Sequence, residues 1–504
     1  MNSKPYKSIN YEYGSANSDN SANISLELET AKLNPEYSTL LDKIHSQYGY
    51  KSELWKIILS IFLICIIDGY SGTIFATMIK AYTTQFELSN SEISLIGVIY
   101  FMVKALGGLF SGFFTKIMKG RILIVYSCLL IILSSNLLLA LILEKPVLYL
   151  ERILSGFFSG ILEPIGNNLL CEYLPINFRG FTLLSLGIGF NLGQLFPNII
   201  MLNTMPNFEI SGIYKTLFIS TLLILLCTII CFLFLKDSPR NYILKNEKEK
   251  AFKILEKICF HKRLSEKEKV QILSEVREGV NKDQNSSSFN EVFKKQFMVL
   301  TICISIISFI SNLIYDGPVL IMDLTFTTLN DKQPTERILK ESIVVILLCI
   351  PSSIVGGLSM ENKYLGRRLT MLLSFVMIIL SSFLSMIFTE NIEIFLGMYQ
   401  FFSNYNAGLA MIYASEVSPT KIRDFSVGLS AFFGSFGSVA SQIIYIWLHD
   451  IGAFTPYIFS MGCCVLGCVV CYLLSIETYH RPLDVRTEDE ISEKVVANQS
   501  NIKI

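Results

Sequence analysis

Charged residues stand deep inside the long apolar stretches of this chain, foremost Asp68, Lys104, Arg152, Glu163 and Asp316. A charge near the centre of a membrane-spanning helix costs about 2.5–3.5 kcal/mol on insertion scales, so such residues are read as paired and functional. Amides accompany them: Asn167 and Asn168, Asn191 and Gln194, Gln400, Asn404 and Asn406, and Gln442. Together they imply a polar cavity deep in an apolar protein, suited to holding a polar solute or passing a proton. Structural pairs that only join helices would account for any one of these residues, but not for so many at once. Three acids against two bases favour neither a cation nor an anion. Bond-making chemistry lacks its parts. The four histidines (His45, His261, His449 and His480) fall outside the membrane core. The twelve cysteines, which lie mainly inside apolar runs, offer no convincing metal-ligand spacing and read as small apolar residues packing between helices. No Gly-rich phosphate loop of the Walker type is present, so neither an enzyme nor a cofactor is expected.

The elements that carry these residues are long and apolar. The chain is 51% hydrophobic and 17% charged, where ordinary soluble domains have roughly 25% charged residues, and its mean hydropathy is +0.49. A spanning helix needs about 20 mostly apolar residues. Twelve such runs occur, near 55–79, 93–117, 122–143, 147–171, 181–202, 214–235, 297–322, 342–360, 369–388, 392–414, 425–448 and 453–476. The expected fold is all-α, with twelve transmembrane helices in two six-helix bundles. The expected segments are a tail over 1–51, a bundle over 52–236, a linker with short helices over 237–296, a second bundle over 297–477 and a tail over 478–504. Gly107, Gly108 and Gly112 follow Lys104, so another helix can approach there closely.

An internal duplication supports two halves. Glu172-Tyr-Leu-Pro175-Ile-Asn-Phe-Arg179 and Glu416-Val-Ser-Pro419-Thr-Lys-Ile-Arg423 repeat Glu, Pro and Arg at one spacing, 244 residues apart. Asp68-Gly69 returns as Asp316-Gly317 after 248 residues, and Gly120-Arg121 as Gly366-Arg367 after 246. That period is far beyond the 20–50 residues of short-repeat solenoids.

Charge distribution orients the helices. With a cytosolic amino terminus, the short inner loops hold nine basic residues, including Lys116, Lys119, Lys363, Arg368 and Lys421, and the outer ones three (Lys80, Lys145 and Lys215). The positive-inside rule then puts both termini in the cytosol. The connection between runs 7 and 8 is left out because its charges balance. The sequons at Asn23, Asn285 and Asn498 fall in segments expected to be cytosolic, where they would stay unmodified. No apolar segment follows Met1, so no cleaved signal peptide is expected. In the tail, Glu36 with Leu40 and Leu41 resembles an acidic di-leucine signal that sorting adaptors would read. With 42 basic and 42 acidic residues, no nucleic-acid partner is expected, and a monomer in the bilayer is.

These motifs resemble the major facilitator superfamily, in particular its synaptic-vesicle-protein-like, organic-ion and aromatic-acid branches. Asp68-Gly69-Tyr70, Arg152 with Gly156 and Gly160, Asp237-Ser238-Pro239-Arg240, and Tyr413 through Arg423 carry the likeness, which runs over about 55–476. The loop after run 2 departs from the usual pattern, because Thr115 stands where an acid is expected, whereas Glu361 keeps it after run 8. Ser71 replaces a second helix-1 Asp, and the glutamine pair of sugar porters is missing. The resemblance implies a secondary transporter of a small polar organic solute, working by alternating access in the plasma membrane or an endolysosomal or vesicular one. It also implies proton coupling between Asp68 and Arg152, with Lys104 as the competing partner. The expected solute cavity comprises Lys104, Glu163, Asn167, Asn191, Gln194, Asp316, Gln400, Asn404 and Gln442. The expected cytosolic gate comprises Gly120, Arg121, Glu172, Arg179, Gly366, Arg367, Glu416 and Arg423, as exposed ion pairs worth about 0–1 kcal/mol each. A facilitative uniporter or sugar transporter, and a non-transporting sensor built on the same fold, are the alternatives.

Overall fold

The computed structural model describes residues 52–117, 121–174, 179–204, 210–238, 242, 248–258, 266–267, 269–270, 295–329, 335–388, 392–418, 423–474 and 478. Twelve long helices account for most of them. In the first half these are α1 (Ser52–Phe86), α2 (Asn90–Ile117), α3 (Arg121–Leu141), α4 (Lys145–Tyr173), α5 (Arg179–Thr204) and α6 (Ile210–Phe234). In the second half they are α7 (Lys295–Leu329), α8 (Thr335–Met360), α9 (Gly366–Ile387), α10 (Ile392–Val417), α11 (Arg423–Ile451) and α12 (Thr455–Leu473). A short linker helix, Lys248–Ile258, lies between them and buries Ala251 and Leu255.

Ten of the twelve are long and apolar enough to cross a membrane by length and composition alone. The two that fall short are α4 and α10, the fourth helix of each half. Both carry polar residues and sit inside their bundles, where neighbouring helices rather than lipid receive those groups. Helices outrun the apolar stretches that foretold them. The connection expected between runs 7 and 8 is largely helical, since α7 extends to Leu329 and α8 starts at Thr335. Backbone hydrogen bonding continues past the point where hydrophobicity stops.

The duplication is visible as packing. α1 packs on α5 as α7 packs on α11; α2 packs on α4 as α8 does on α10; and α3 contacts α4 and α6 as α9 contacts α10 and α12. Across the halves, α2 meets α11 and α8 meets α5, again a symmetric exchange. Small residues let these backbones touch. A Cβ on Gly160 of α4 would collide with the Lys104 carbonyl of α2, and one on Gly107 with the Phe157 carbonyl. At the α2–α11 crossing, a Cβ on Gly428 would lie 2.5 Å from the Gly108 carbonyl oxygen.

Local chemistry fixes helix starts. Ser89 and Glu92 bond reciprocally before α2, with Glu92 Oε2 accepting from the Ser89 amide at 3.0 Å, a capping box. Gly366 opens α9 with φ 61°, a conformation that glycine adopts without strain.

Candidate functional site: a buried charge cluster between two bundles

Lys104 of α2 occupies the middle of the first half, and two carboxylates claim it. Its Nζ donates to Asp68 Oδ1 and Oδ2 of α1 at 2.9 and 3.0 Å. It also lies 3.2 Å from Glu163 Oε2 of α4. Ser159 of α4 donates a further, very short bond to Asp68 Oδ1. The Asp68 and Lys104 side chains are 6% and 11% exposed, while that of Glu163 is 35% exposed. Glu163 is therefore the open member. Beside it a cavity of about 20 Å³ is lined by Asp68, Glu163 and Asn167, with Ile61, Ile64 and Cys65 as apolar wall. A space of that size admits a water molecule.

Asp68 does not meet Arg152. The Arg152 guanidinium is taken by its own neighbour: Nε donates to Glu151 Oε2 at 2.5 Å and Nη2 to Oε1 at 2.8 Å. Its Nη1 donates to the Ser71 carbonyl at 2.8 Å, and Tyr100 presents its ring 5.2 Å away. Glu151, adjacent in the chain, satisfies the arginine locally, and the long Lys104 side chain reaches Asp68 instead. The expected Asp68–Arg152 pair is thus replaced by two separate ones.

The second half contributes from the facing side. Asp316 of α7 is half-buried beside Ser438 of α11 and within the electrostatic reach of Lys104 and Glu163. Tyr315 donates to Gln194 Oε1 of α5 at 3.1 Å, and Gln400 of α10 donates to the Tyr315 carbonyl at 3.4 Å. Asn191 of α5 and Asn404 of α10 both donate to the Cys349 carbonyl of α8 at 3.2 Å, and Asn404 also bonds Ser352 at 2.8 Å. Two expected cavity residues, Gln194 and Asn191, therefore join the two halves, while Gln400 and Asn404 bond the same two residues, Tyr315 and Cys349, from within the second half. Gln442 lies half-buried on α11, one turn beyond Ser438.

At one end of the bundle, the Gly-Arg turns meet the Glu-Pro-Arg motifs as symmetric pairs. Arg121 Nη1 donates to Glu172 Oε1 at 2.6 Å. Arg367 Nε and Nη2 donate to Glu416 at 3.1 and 3.3 Å. Contrary to the expectation of exposed pairs, these are buried, with Arg367 1% exposed and Glu172 3%. Each pair also joins helices of its own half. Among the described residues at this end, Glu361 links the halves: it accepts from Arg367 Nη2 at 3.2 Å and from the Phe181 amide at 3.1 Å. Phe181 lies in the first turn of α5, whose exposed N–H groups and dipole favour a carboxylate. Arg179 is buried and its Nη2 donates to the Leu174 carbonyl. Gly120, the Arg423 side chain and the tail residues Glu36, Leu40 and Leu41 lie outside the described residues.

Sequence reasoning missed several participants. Glu151 and Ser159 were signalled only as polar residues in an apolar run. Glu361 was visible as the acid kept in one loop copy. Thr478 donates to Glu416 Oε2 at 2.8 Å, and its counterpart Ser238 lies buried after α6. Asp237-Ser238 and Glu477-Thr478, 240 residues apart, are a further copy of the duplication that comparing the ends of the two bundles would have found.

Comparison with known proteins supports the resemblance. The family model for Sugar (and other) transporter matches residues 42–489. The synaptic vesicle 2-related protein of Xenopus laevis is 24% identical over 69% of this chain, and the match spans 65% of that protein's own length. Organic anion transporter 3 of Oryctolagus cuniculus is 25% identical over 83% of this chain and 76% of its own. The 4-hydroxybenzoate transporter PcaK of Pseudomonas aeruginosa is 25% identical over 38% of this chain and 42% of its own. Among solved structures, the proton:xylose symporter XylE bound to 6-bromo-6-deoxy-D-glucose superposes with a TM-score of 0.74 at 16% identity, over 86% of this chain and 98% of that one.

Proposed function

This chain belongs to the sugar (and other) transporter family of the major facilitator superfamily, and from that membership we propose that it carries a small polar organic solute across the bilayer by alternating access, coupled to protons. The observation that carries the reading is Lys104 held between Asp68 and Glu163, 2.9 and 3.2 Å away, at the centre of a multi-pass membrane protein. A fixed salt bridge needs one carboxylate. Two carboxylates on one ammonium leave an acid free to take or release a proton as the other pairs. Glu163, the open member, faces a cavity that can hold water, which supports proton exchange there. The nine-to-three excess of inner basic residues supports a cytosolic position for both termini and for the end bearing the Gly-Arg turns.

Closure is supported by where the halves touch. Contacts at Gly108 and Gly428, at Gly112 and Phe425, and at Gly180, Glu361 and Arg367 all lie toward the Gly-Arg end. Buried charge pairs hold each half rigid, and Glu361 bridges them. Opening that end breaks the Glu361–Phe181 hydrogen bond and leaves the pairs within each half intact, so the halves move as units.

The test is uptake into proteoliposomes. Asp68→Asn is expected to abolish accumulation driven by a pH gradient while sparing solute exchange at equal pH. Gradient-driven accumulation that survives Asp68→Asn would return the chain to a facilitative uniporter.

A further inference from the structure

We infer that the solute site takes a small organic cation, a protonated amine, rather than an anion or a neutral sugar; this rests on the transport reading above. Counting charges along the sequence leaves the sign open. The pairing decides it. Arg152, one of the two bases, is neutralised by Glu151, with both residues 3% exposed and the guanidinium further held by the Ser71 carbonyl. It contributes no free positive charge to the cavity. Lys104 is the remaining base among the described residues of the membrane core, and Asp68 and Glu163 share it. From the facing half comes Asp316, half-buried and without an ion pair among the described residues. Three carboxylates therefore face one ammonium in a region of low dielectric, so acidic groups outnumber the base. An anionic solute would meet that field unopposed, whereas a cation offsets the cost of holding it.

A second, independent observation points to a donor-bearing ligand. Asn191 is fully buried where α5 meets α8, and its Oδ1 has no hydrogen-bond partner among the described residues while its Nδ2 is committed to the Cys349 carbonyl. It stands level with Asp68 in the membrane, because its neighbour Phe190 packs against Gly69. A buried carbonyl left unpaired costs about 1–3 kcal/mol, so the amide is held ready for an N–H donor. Glu163, whose side chain is 35% exposed, and Asp316 supply charge from opposite halves. Asn191 supplies an acceptor at the α5–α8 contact, where the two halves meet. An ammonium carries donors and positive charge together, and a carboxylate has neither.

Two phenols of opposite charge test this. Purified full-length protein in lipid nanodiscs is titrated with radiolabelled tyramine, 4-hydroxybenzoate and xylose. Saturable tyramine binding is expected, displaced by other small amines and weakened roughly tenfold or more by Glu163→Gln and by Asp316→Asn. Asp316→Asn breaks no ion pair, so this arm stays readable if Glu163→Gln fails to fold. Binding of 4-hydroxybenzoate or xylose in preference to tyramine, binding of none of the three, or tyramine binding unchanged in the Asp316→Asn protein overturns the inference. Accumulation in proteoliposomes separates it from the transport reading. Tyramine that binds without accumulating leaves the cation site standing and removes transport, while accumulation of 4-hydroxybenzoate alone does the reverse.

Discussion

At the scale of single residues, this protein spends its polar groups in matched sets, and the cost of unmatching them differs from place to place. Arg367 is 1% exposed and serves Glu416, Glu361 and the Met360 carbonyl at once. Removing one member of a buried ion pair leaves the other charged and desolvated, at about 3–5 kcal/mol. Arg367→Ala is therefore expected to destabilise the second half by about that amount, read as a lowered unfolding temperature in detergent. An unfolding temperature within a degree or two of the parent would mean that the arginine serves topology alone. The types of these residues were legible in the sequence, because charges in apolar runs are conspicuous. Their partners were not. Asp68 is followed 36 residues later by Lys104 and 84 later by Arg152, and nothing in linear order says which of them it meets.

At the scale of elements, glycine decides how close the charge-bearing helices come. Gly160 of α4 leaves no room for a Cβ against the Lys104 carbonyl of α2, so the backbone that carries Lys104 is positioned by that glycine. Gly160→Val is expected to push α2 from α4, with an overpacking cost of about 1–3 kcal/mol and a loss of transport. Gly97→Ala is the control, since nothing lies within 4 Å of a Cβ there; it should match the parent in both unfolding temperature and uptake. Equal behaviour of the two variants would show that helix spacing does not set the charge cluster. Helix number and order were legible from apolar runs of about 20 residues. Helix ends were not, because α1, α7 and α8 extend beyond their apolar stretches into polar sequence.

At the scale of the whole molecule, the two halves meet through small residues, the amides Asn191 and Gln194, and, at the Gly-Arg end, one acid. Glu361 is the carboxylate that ties Arg367 of the second half to the first turn of α5 in the first, while Thr115 stands at the corresponding place in the other loop copy. The bridge is therefore one-sided. Glu361→Gln, which keeps the shape and removes the charge, is expected to raise several-fold the labelling of cysteines introduced at Asn167 or Ser353 by a reagent applied from the Gly-Arg end. Labelling at the parent rate would assign closure to the glycine contacts alone. The sequence by itself determined that the chain crosses the bilayer, that it is duplicated and which residues would be polar inside it, because insertion free energy depends on local composition and a duplication is a property of linear order. Tertiary structure alone decided which charges cancel. Arg152 is silent because Glu151 reaches it first, Lys104 is shared because α1 and α4 flank α2, and Asp316 makes no ion pair among the described residues because Asp68 and Glu163 already hold the Lys104 ammonium. Electrostatic energy depends on distance and desolvation, and only the packed helices set those.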